Sequence, residues 1–246
     1  MHNKKVHIGT SGWSYEGWRG IFYPQGLKSK DYLSYYTGQF ATVELNNSFY
    51  RLPSENSIQH WVDITPADFV FSCKASSYIT HRKKLHEAHK GVEAFFDRLE
   101  HFGDKLGPVL FQLPPRWHVN VERLEGFFKL LPRKYHYAFE FRDTTWLCQD
   151  VYDVLKENNA ILCFYDFKGY TSPEMVTSDW VYIRLHGPLT DAYQGSYDGQ
   201  TLAEYAQKIK GWEAEGKTVF CYFDNDQKAC APKNAKELAV CLERLS

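Results

Sequence analysis

The 246-residue sequence lacks long apolar runs, a cysteine framework and an excess of charge of either sign. No stretch reaches the roughly 18 uncharged apolar residues that a membrane-spanning helix requires. The start, MHNKKVHIGTSGW, has no apolar segment of the kind found in a signal peptide. The net charge is −1, so no overall field attracts nucleic acid or membranes. An anionic partner would have to be held by a local cluster of cationic groups.

The six cysteines form no CxxC pair and show no disulfide-framework spacing. Cys73, Cys163 and Cys221 fall inside candidate strands, which predicts reduced thiols that fill the core of a cytoplasmic protein. Carboxylates and a histidine suited to metal binding are present, but no HxH or HExxH spacing accompanies them. We therefore expect no metal site and no cofactor.

What the sequence does contain is an alternation of strand-like and helix-like segments. Eight short apolar runs predict strands, and helix-like segments separate most of them. The runs are VHIGTS (6–11), TVELNN (42–47), FVFSCKA (69–75), PVLFQLP (108–114), YAFEFR (137–142), ILCFYDF (161–167), WVYIRLHG (180–187) and TVFCYFDN (218–225). Because parallel strands need crossover connections, this order predicts an α/β protein with a parallel sheet. Eight units in about 250 residues are typical of a (β/α)8 TIM-type barrel, here as a single domain over residues 1–246.

Three local features refine this prediction. The segment between Phe167 and Trp180 contains Pro173, so the sixth helix should be short or missing. Residues 83–106 read as one long helix, and a later helix opens at Thr201 and Glu204 with the spacing of a capping box. An open doubly wound sheet is the competing fold, but GTSGWS after the first strand lacks the GxGxxG phosphate-binding order.

Charged residues lie on one face of several predicted strands. In YAFEFR, Glu140 and Arg142 face one way and three aromatic residues face the other. Ionised side chains on a strand that faced an apolar core would be costly to desolvate. In a barrel they are tolerated where the lumen opens at the carboxyl ends of the strands, the location of active sites in this architecture. The sequence therefore predicts a polar pocket at that mouth.

The same alternation supplies the other candidate site residues. The candidates for catalysis are Glu140, His186, Glu44 and Lys74. The candidates for substrate binding on or just after the strands are Arg142, Arg184, Asn46, Gln112, Asp166, Asp224 and Asn225. So dense a set of ionisable groups is where pKa values shift toward acid–base use. Lys74 could act as a nucleophilic amine or could bind an anion.

Aromatic residues and one basic loop also follow the strands. Aromatic residues that follow strands one, two, five and seven could form a stacking platform for sugar rings or nucleobases, although scattered aromatic residues usually belong to a core. They are Trp13, Tyr15, Trp18, Phe49, Tyr50, Trp146, Tyr193 and Tyr197. His81 begins the run HRKK, which is either a solvated loop or a site that attracts phosphate.

Long motifs give the chain a resemblance to a known family. The motifs are GTSGWSYEGWRGIFYP, FATVELNNSFYRLP, FSCKASSYITH, LFQLPP, FEFRDTTW, IRLHG and FDND. With them the chain resembles the YecE-like proteins, the family called domain of unknown function 72. The resemblance covers essentially the whole chain and implies a TIM-barrel-like, intracellular protein with no assigned reaction. Family motifs match Glu44, Asn46, Lys74, Thr80, His81, Gln112, Glu140, Arg142, Trp146, Arg184, His186 and Gly187. The chain departs from the family in FDND, where Asp224 replaces the more usual amide.

These observations lead to three functional hypotheses. The first is an enzyme, a hydrolase or lyase, that acts on a small or oligomeric anionic substrate such as a phosphorylated sugar or nucleotide. The second is a non-catalytic protein that binds single-stranded nucleic acid through the aromatic platform and the HRKK loop. The third is a glycosidase that uses Glu44 and Glu140 as paired carboxylates. None of them requires a membrane or an obligate protein partner.

Overall fold

The computed structural model describes residues 4–245, in which eight parallel strands form a nearly closed barrel. The strands are β1 (Val6–Thr10), β2 (Thr42–Leu45), β3 (Val70–Lys74), β4 (Leu106–Leu113), β5 (Tyr137–Phe141), β6 (Ile161–Phe167), β8 (Trp180–Leu185) and β9 (Thr218–Phe223), with the two-residue β7 (Tyr170–Thr171) between β6 and β8. Neighbours follow the order β1-β9-β8-β6-β5-β4-β3-β2. This confirms the predicted barrel, although several strands end one or two residues before the predicted limits.

Every barrel strand except β6 is followed by an α-helix within the described residues. The helices are α1 (Tyr32–Thr37), α2 (Asn47–Tyr50), α3 (Glu55–Ile64), α4 (His89–Leu99), α5 (Val121–Phe128), α6 (Gln149–Glu157), α7 (Gly199–Ala214) and α8 (Cys230–Glu243). After β6 the chain instead turns back as β7, which pairs antiparallel with the end of β6. The prediction of a short or missing sixth helix is therefore confirmed.

None of the helices formed by residues 4–245 combines the length and apolar character needed to cross a membrane.

The barrel closes where β1 meets β2, through one bridge and one tyrosine hydroxyl. Ser11 and Glu44 form the bridge. Below it, the Tyr36 hydroxyl accepts from the Thr10 amide at 2.9 Å and donates to the Thr42 carbonyl at 3.0 Å, so it replaces a missing ladder bond. Gly9 permits the close approach, because a Cβ at this position would lie 2.3 Å from the Thr42 oxygen.

The alternation of side chains divides the core into two layers. Apolar residues on the outer faces of the strands pack with the helices in one large cluster. The lower part of the lumen holds a smaller cluster, formed by Val70, Leu110, Ala138, Ile161, Cys163, Tyr182, Phe220 and Tyr222. Phe139 and Phe141 face outward and Ala138 faces inward, as predicted. Because this cluster fills the base of the lumen, polar side chains are left to its upper end.

Two helix predictions were wrong. Residues 83–106 do not form one helix, because Lys84, Leu85 and Glu87 have positive φ angles and α4 begins only at His89. Leu85 is buried, and the loop carries it into the outer core. The helix predicted to open at Thr201 begins earlier, at Gly199, because the Asp198 side chain accepts from the Thr201 amide at 2.7 Å.

Candidate active site at the barrel mouth

Arg184, on β8, lies at the centre of the polar groups at the carboxyl ends of the strands. Only 1% of its surface is exposed. Its Nε and Nη2 bind the two oxygens of Glu44 at 2.9 and 2.8 Å, and its Nη1 donates to Glu140 Oε2 at 2.8 Å. Nη2 also lies 3.1 Å from Asp224 Oδ2. One guanidinium group therefore joins carboxylates from β2 and β5 and the carboxyl that follows β9, and all of its nitrogens are engaged.

Glu44 is fully buried and receives further donors from β8 and from the residue that follows β1. The Tyr182 hydroxyl donates to its Oε2 at 2.7 Å, and the Ser11 hydroxyl donates to its Oε1. Asn46 in turn donates to Ser11 Oγ at 2.5 Å, while its own Oδ1 is buried without a partner. With both oxygens occupied, the Glu44 carboxylate cannot approach a ligand without breaking these bonds.

Glu140 is also fully buried and lies between two arginines. Arg142 Nε donates to its Oε1, and Arg184 donates to its Oε2. Although burial alone would raise its pKa, the charges of Arg142 and Arg184 hold the pKa of Glu140 below its usual range. Glu140 is therefore ionised at neutral pH and is a poor proton donor.

Arg142 differs from Arg184 because part of its guanidinium group is unpaired. The group stacks over the rings of Tyr165 and Phe167, at 4.7 and 4.0 Å from their centroids. Its Nη2 lies 3.0 Å from His186 Nε2, but its buried Nη1 has no hydrogen-bond partner. One donor of this cation is therefore left for a ligand.

His186 is held as a neutral imidazole. Its Nε2 lies 2.9 Å from Arg184 Nη1 and 3.0 Å from Arg142 Nη2. Because guanidinium groups only donate, Nε2 must accept, and Nδ1–H donates to the Asp166 carbonyl at 2.8 Å. Burial and the charge of Arg184 lower the pKa of His186 well below its usual value. Neither ring nitrogen is free for proton transfer.

Asp166 holds the ends of β6 and β8 together. Its Oδ1 accepts from the His186 amide at 2.7 Å, and its Oδ2 accepts from the Tyr197 hydroxyl. Burial raises the pKa of Asp166 to about 6. Tyr197 also accepts from the Gly187 amide at 2.8 Å. Position 187 requires glycine, because its φ is +108° and a Cβ there would lie 2.2 Å from the Gln194 oxygen. These contacts fix the loop that follows β8.

Asp224 is a carboxyl group that can change its charge near neutral pH. Burial and the nearby Glu44 raise its pKa to about 7, against the opposing effect of Arg184. Its Oδ2 faces Arg184 and lies 3.4 Å from His186 Nε2. Within residues 4–245 its Oδ1 has no hydrogen-bond partner, so this oxygen remains available.

Lys74, at the end of β3, carries an amine with no hydrogen-bond acceptor among the described residues. Its Nζ lies over the ring of Phe49, 4.5 Å from the centroid. Burial, reinforced by the charge of Arg184, lowers the pKa of Lys74 to about 8. Burial, reinforced by the charge of Lys74, lowers the pKa of the nearby His81, whose ring also contacts Phe49 at 4.9 Å. Lys74 and His81 therefore belong to one region of the mouth.

The remaining predicted residues are distributed differently. Trp146 is fully buried outside the barrel, where it stacks on Phe141 at 5.1 Å and donates to the Trp117 carbonyl at 2.6 Å. It therefore belongs to the outer core and cannot form part of a stacking platform. Asn225 is also buried, and its amide donates to the Gly195 carbonyl at 2.8 Å, which ties two loops together. Gln112 faces the lumen beside Glu140, its register partner on β5.

Among the other aromatic candidates, Trp18 is fully buried, and Trp13, Tyr15 and Tyr50 lie toward the rim. Trp13 and Tyr15 line a small cavity of about 180 Å³ with Asn46, and Trp13 packs edge-on against Trp61 at 5.3 Å. Tyr50 is 83% exposed and borders a separate cleft of about 580 Å³. These rings therefore lie in different surroundings and do not form one continuous stacking surface.

Sequence reasoning missed Ser11 and Tyr182, and it named Tyr197 only as an aromatic residue of the predicted platform. Ser11 and Tyr182 donate to Glu44, and Tyr197 donates to Asp166. Tyr182 lies two residues before Arg184 on the same strand face, so the alternation itself could have identified it. Across residues 4–245, no three His, Cys, Asp or Glu side chains are grouped so as to hold a metal ion.

Comparison with known proteins identifies the family. A family model described as Protein of unknown function DUF72 matches residues 7–245. The UPF0759 protein YunF of Bacillus subtilis is 24% identical over 97% of this chain and 95% of its own length. The UPF0759 protein YecE of Escherichia coli is 29% identical over 56% of this chain and 48% of its own length.

Solved structures agree with this result. The crystal structure of a DUF72 family protein from Thermotoga maritima matches with a TM-score of 0.87 and 28% identity, covering 98% of this chain and 100% of that one. A DUF72 protein from Enterococcus faecalis, at 21% identity and a TM-score of 0.81 over 97% and 95% of the two chains, shares the fold. This chain belongs to the DUF72 family.

Proposed function

We propose that the protein is an enzyme, a hydrolase or lyase, that acts on a small anionic substrate such as a phosphorylated sugar or nucleotide at the barrel mouth. The observation that carries the proposal is the pair of unpartnered cationic groups, Arg142 Nη1 and the Lys74 amine. Arg142 Nη1 is a buried donor without an acceptor, which costs free energy, so a bound anion that accepts from it would remove that cost. The Lys74 amine would supply a second cationic donor in the mouth. Arg184 does not take part, because its nitrogens are already engaged.

Asp224 is the group best suited to acid–base work. Its pKa of about 7 lets it both donate and accept a proton near neutral pH, and its Oδ1 is unoccupied. Glu140, Glu44 and His186, the candidates favoured by sequence, have their polar atoms engaged by other side chains. We therefore assign the acid–base role to Asp224 and a positioning role to those three.

The two alternatives have weaker support. A glycosidase needs a protonated carboxyl and a free carboxylate across a pocket, whereas Glu44 and Glu140 are both buried and bound to Arg184. A nucleic-acid surface would use the HRKK loop, but Lys83 pairs with Glu87 at 3.8 Å. We also infer a cytoplasmic location, since the buried thiols of Cys73, Cys163 and Cys221 are free.

Replacing Arg142 tests the proposal. Calorimetric titration with inorganic phosphate and with ribose 5-phosphate should show binding to the wild type. The Arg142→Gln variant should bind at least about tenfold more weakly, because a charge-assisted hydrogen bond is lost. Arg133→Gln is the matched control, since Arg133 is exposed near the opposite end of the same strand, β5.

The controls separate binding from folding. Arg142→Lys keeps the positive charge and should restore part of the affinity if Arg142→Gln is folded by circular dichroism. Equal affinities for wild type and Arg142→Gln, or preferential binding of single-stranded oligonucleotides that weakens steeply with salt, would contradict the proposal.

A further inference from the structure

Lys74 and Lys105 are two partly buried lysines with opposite surroundings. Lys105 Nζ donates to the Val62 carbonyl at 2.6 Å, to the Thr65 carbonyl at 2.8 Å and to Thr65 Oγ1 at 3.0 Å. Lys74 has no such acceptor in the described part of the chain, and its Nζ lies over the ring of Phe49. Lys105 therefore holds a helix end in place, whereas the structure around Lys74 leaves its amine uncommitted.

The groups that face Lys74 come from several strands of the mouth. Arg184 opposes its positive charge, and Glu140, Glu44 and Asp224 favour it. The three favourable carboxyl groups are partly neutralised, since Arg184 binds each of them. His81 approaches from the turn that follows β3. Because Arg184 already binds these carboxyl groups, the Lys74 amine forms no ion pair with any of them among the described residues.

We infer that Lys74 forms a Schiff base with the carbonyl group of a small anionic aldehyde or ketone, with Asp224 as the proton donor and acceptor. The inference rests on the proposed function for recognition of the anionic part by Arg142, and it narrows the substrate class to carbonyl compounds. It makes the protein a lyase of the lysine-dependent kind rather than a hydrolase.

The step balances with the groups in the mouth. The Nζ lone pair of neutral Lys74 bonds to the carbonyl carbon, and the oxygen takes a proton from Asp224 as the C–O π bond breaks. The nitrogen then returns a proton to the Asp224 carboxylate, which leaves a carbinolamine. Asp224 protonates the hydroxyl, water leaves, and the products are the iminium ion and the Asp224 carboxylate. No oxidant or reductant is needed.

The required protonation states are available near neutral pH. Burial lowers the pKa of Lys74 to about 8 and raises the pKa of Asp224 to about 7, so a neutral amine and a protonated carboxyl are both accessible near neutral pH. An exposed lysine with a pKa near 10.4 is far less reactive.

Reductive trapping tests the inference. The protein is incubated with pyruvate, glycolaldehyde or glycolaldehyde phosphate and sodium cyanoborohydride, and adducts are located by peptide mass spectrometry. We expect adduct formation on Lys74 at least about tenfold faster than on Lys105 or the exposed Lys134. Lys74→Arg should abolish this fast adduct, and Asp224→Asn should slow it while leaving Lys74 as the labelled residue.

The outcomes separate this inference from the proposed function. Equal labelling of Lys74, Lys105 and Lys134, or no labelling of Lys74 in protein that binds phosphate by calorimetry, would overturn the Schiff base and leave the proposed function standing. Fast labelling of Lys74 by glycolaldehyde with no preference for its phosphate would support the Schiff base and count against anion recognition by Arg142.

Discussion

Arg184 and Arg142 lie side by side in the mouth and contact the same two groups, Glu140 and His186, yet their surroundings differ. Arg184 comes from β8, is 1% exposed, and has every nitrogen engaged by carboxylates or by His186. Arg142 follows β5, stacks on two aromatic rings and keeps one buried nitrogen without a partner. Every nitrogen of Arg184 therefore has a hydrogen-bond partner, whereas one buried nitrogen of Arg142 has none.

This difference divides the ionised groups of the mouth into two sets. Glu44, Glu140 and His186 are saturated by Arg184 and Arg142, so they act as scaffold. Lys74, Asp224 and Arg142 Nη1 retain unused hydrogen-bonding capacity. Arg142 Nη1 is a buried donor without an acceptor. Burial shifts the pKa values of Lys74 and Asp224 toward their neutral forms, so the charged form of each group destabilises the fold. Removal of a scaffold group should therefore weaken the fold, and removal of the Lys74 amine or the Asp224 charge should strengthen it. Arg142 belongs to both sets, because its Nε binds Glu140, so its removal should still cost some stability.

The largest effect is expected from Arg184→Met, which leaves Glu44 and Glu140 buried without their shared cation. We expect a loss of about 3 to 5 kcal/mol in the free energy of unfolding, measured by urea denaturation. Arg142→Met should cost about 1 to 2 kcal/mol, because Glu140 keeps its bond to Arg184. If the two variants lost equal stability, the division into scaffold and unsatisfied groups would be wrong.

The second effect concerns Asp224 and depends on pH. Its pKa is 3.8 when unperturbed and about 7 in the folded protein, so folding takes up a proton between these values and stability falls as the pH rises through them. Asp224→Asn removes this loss and keeps an oxygen for Arg184. The variant should be about 1 to 2 kcal/mol more stable than wild type above pH 7 and no more stable below about pH 4.

Denaturation at a series of pH values checks this prediction. Asp198→Asn is the control, because Asp198 caps α7 and its pKa is lowered rather than raised. It should lower stability at neutral pH. A loss of stability in Asp224→Asn above pH 7 would place Asp224 among the scaffold groups.

The strand alternation was sufficient to predict the barrel and the end of it at which the charges gather. Glu140, Arg142 and Arg184 follow the two-residue alternation of apolar strands, and this alternation is a property of the strand backbone that does not depend on how side chains pack. The long helix was mispredicted because the burial of Leu85 overrides helix propensity in the loop before α4. Trp146 was misplaced for a similar reason, since the turn Thr144–Trp146 carries its ring back onto the outer core.

Which charges are satisfied could not be predicted from the sequence. Arg184 reaches Glu44 across 140 positions of the chain and Glu140 across 44, and no local spacing records these distances. The neutral state of His186 depends on two guanidinium groups that meet only in the folded barrel. The sequence therefore predicted which types of residue gather at the barrel mouth, and it left their contacts with one another open.

The smallest effect is expected from Lys74→Met. Its pKa is 10.5 when unperturbed and about 8 in the folded protein, so folding releases a proton between these values. The resulting cost to stability is fully present below pH 8 and absent above about pH 10.5. Methionine has a similar shape without the amine, so the variant should be about 1 kcal/mol more stable than wild type at pH 7.

Lys105→Met is the matched control, because it removes three hydrogen bonds to the end of α3 and should lower stability at the same pH. If the two substitutions changed stability in opposite directions, the Lys105 amine would stabilise the fold and the Lys74 amine would destabilise it. If Lys74→Met were destabilising like Lys105→Met, the amine would be part of the scaffold. A gain in stability together with loss of the trapped adduct would instead mark Lys74 as a residue retained for chemistry.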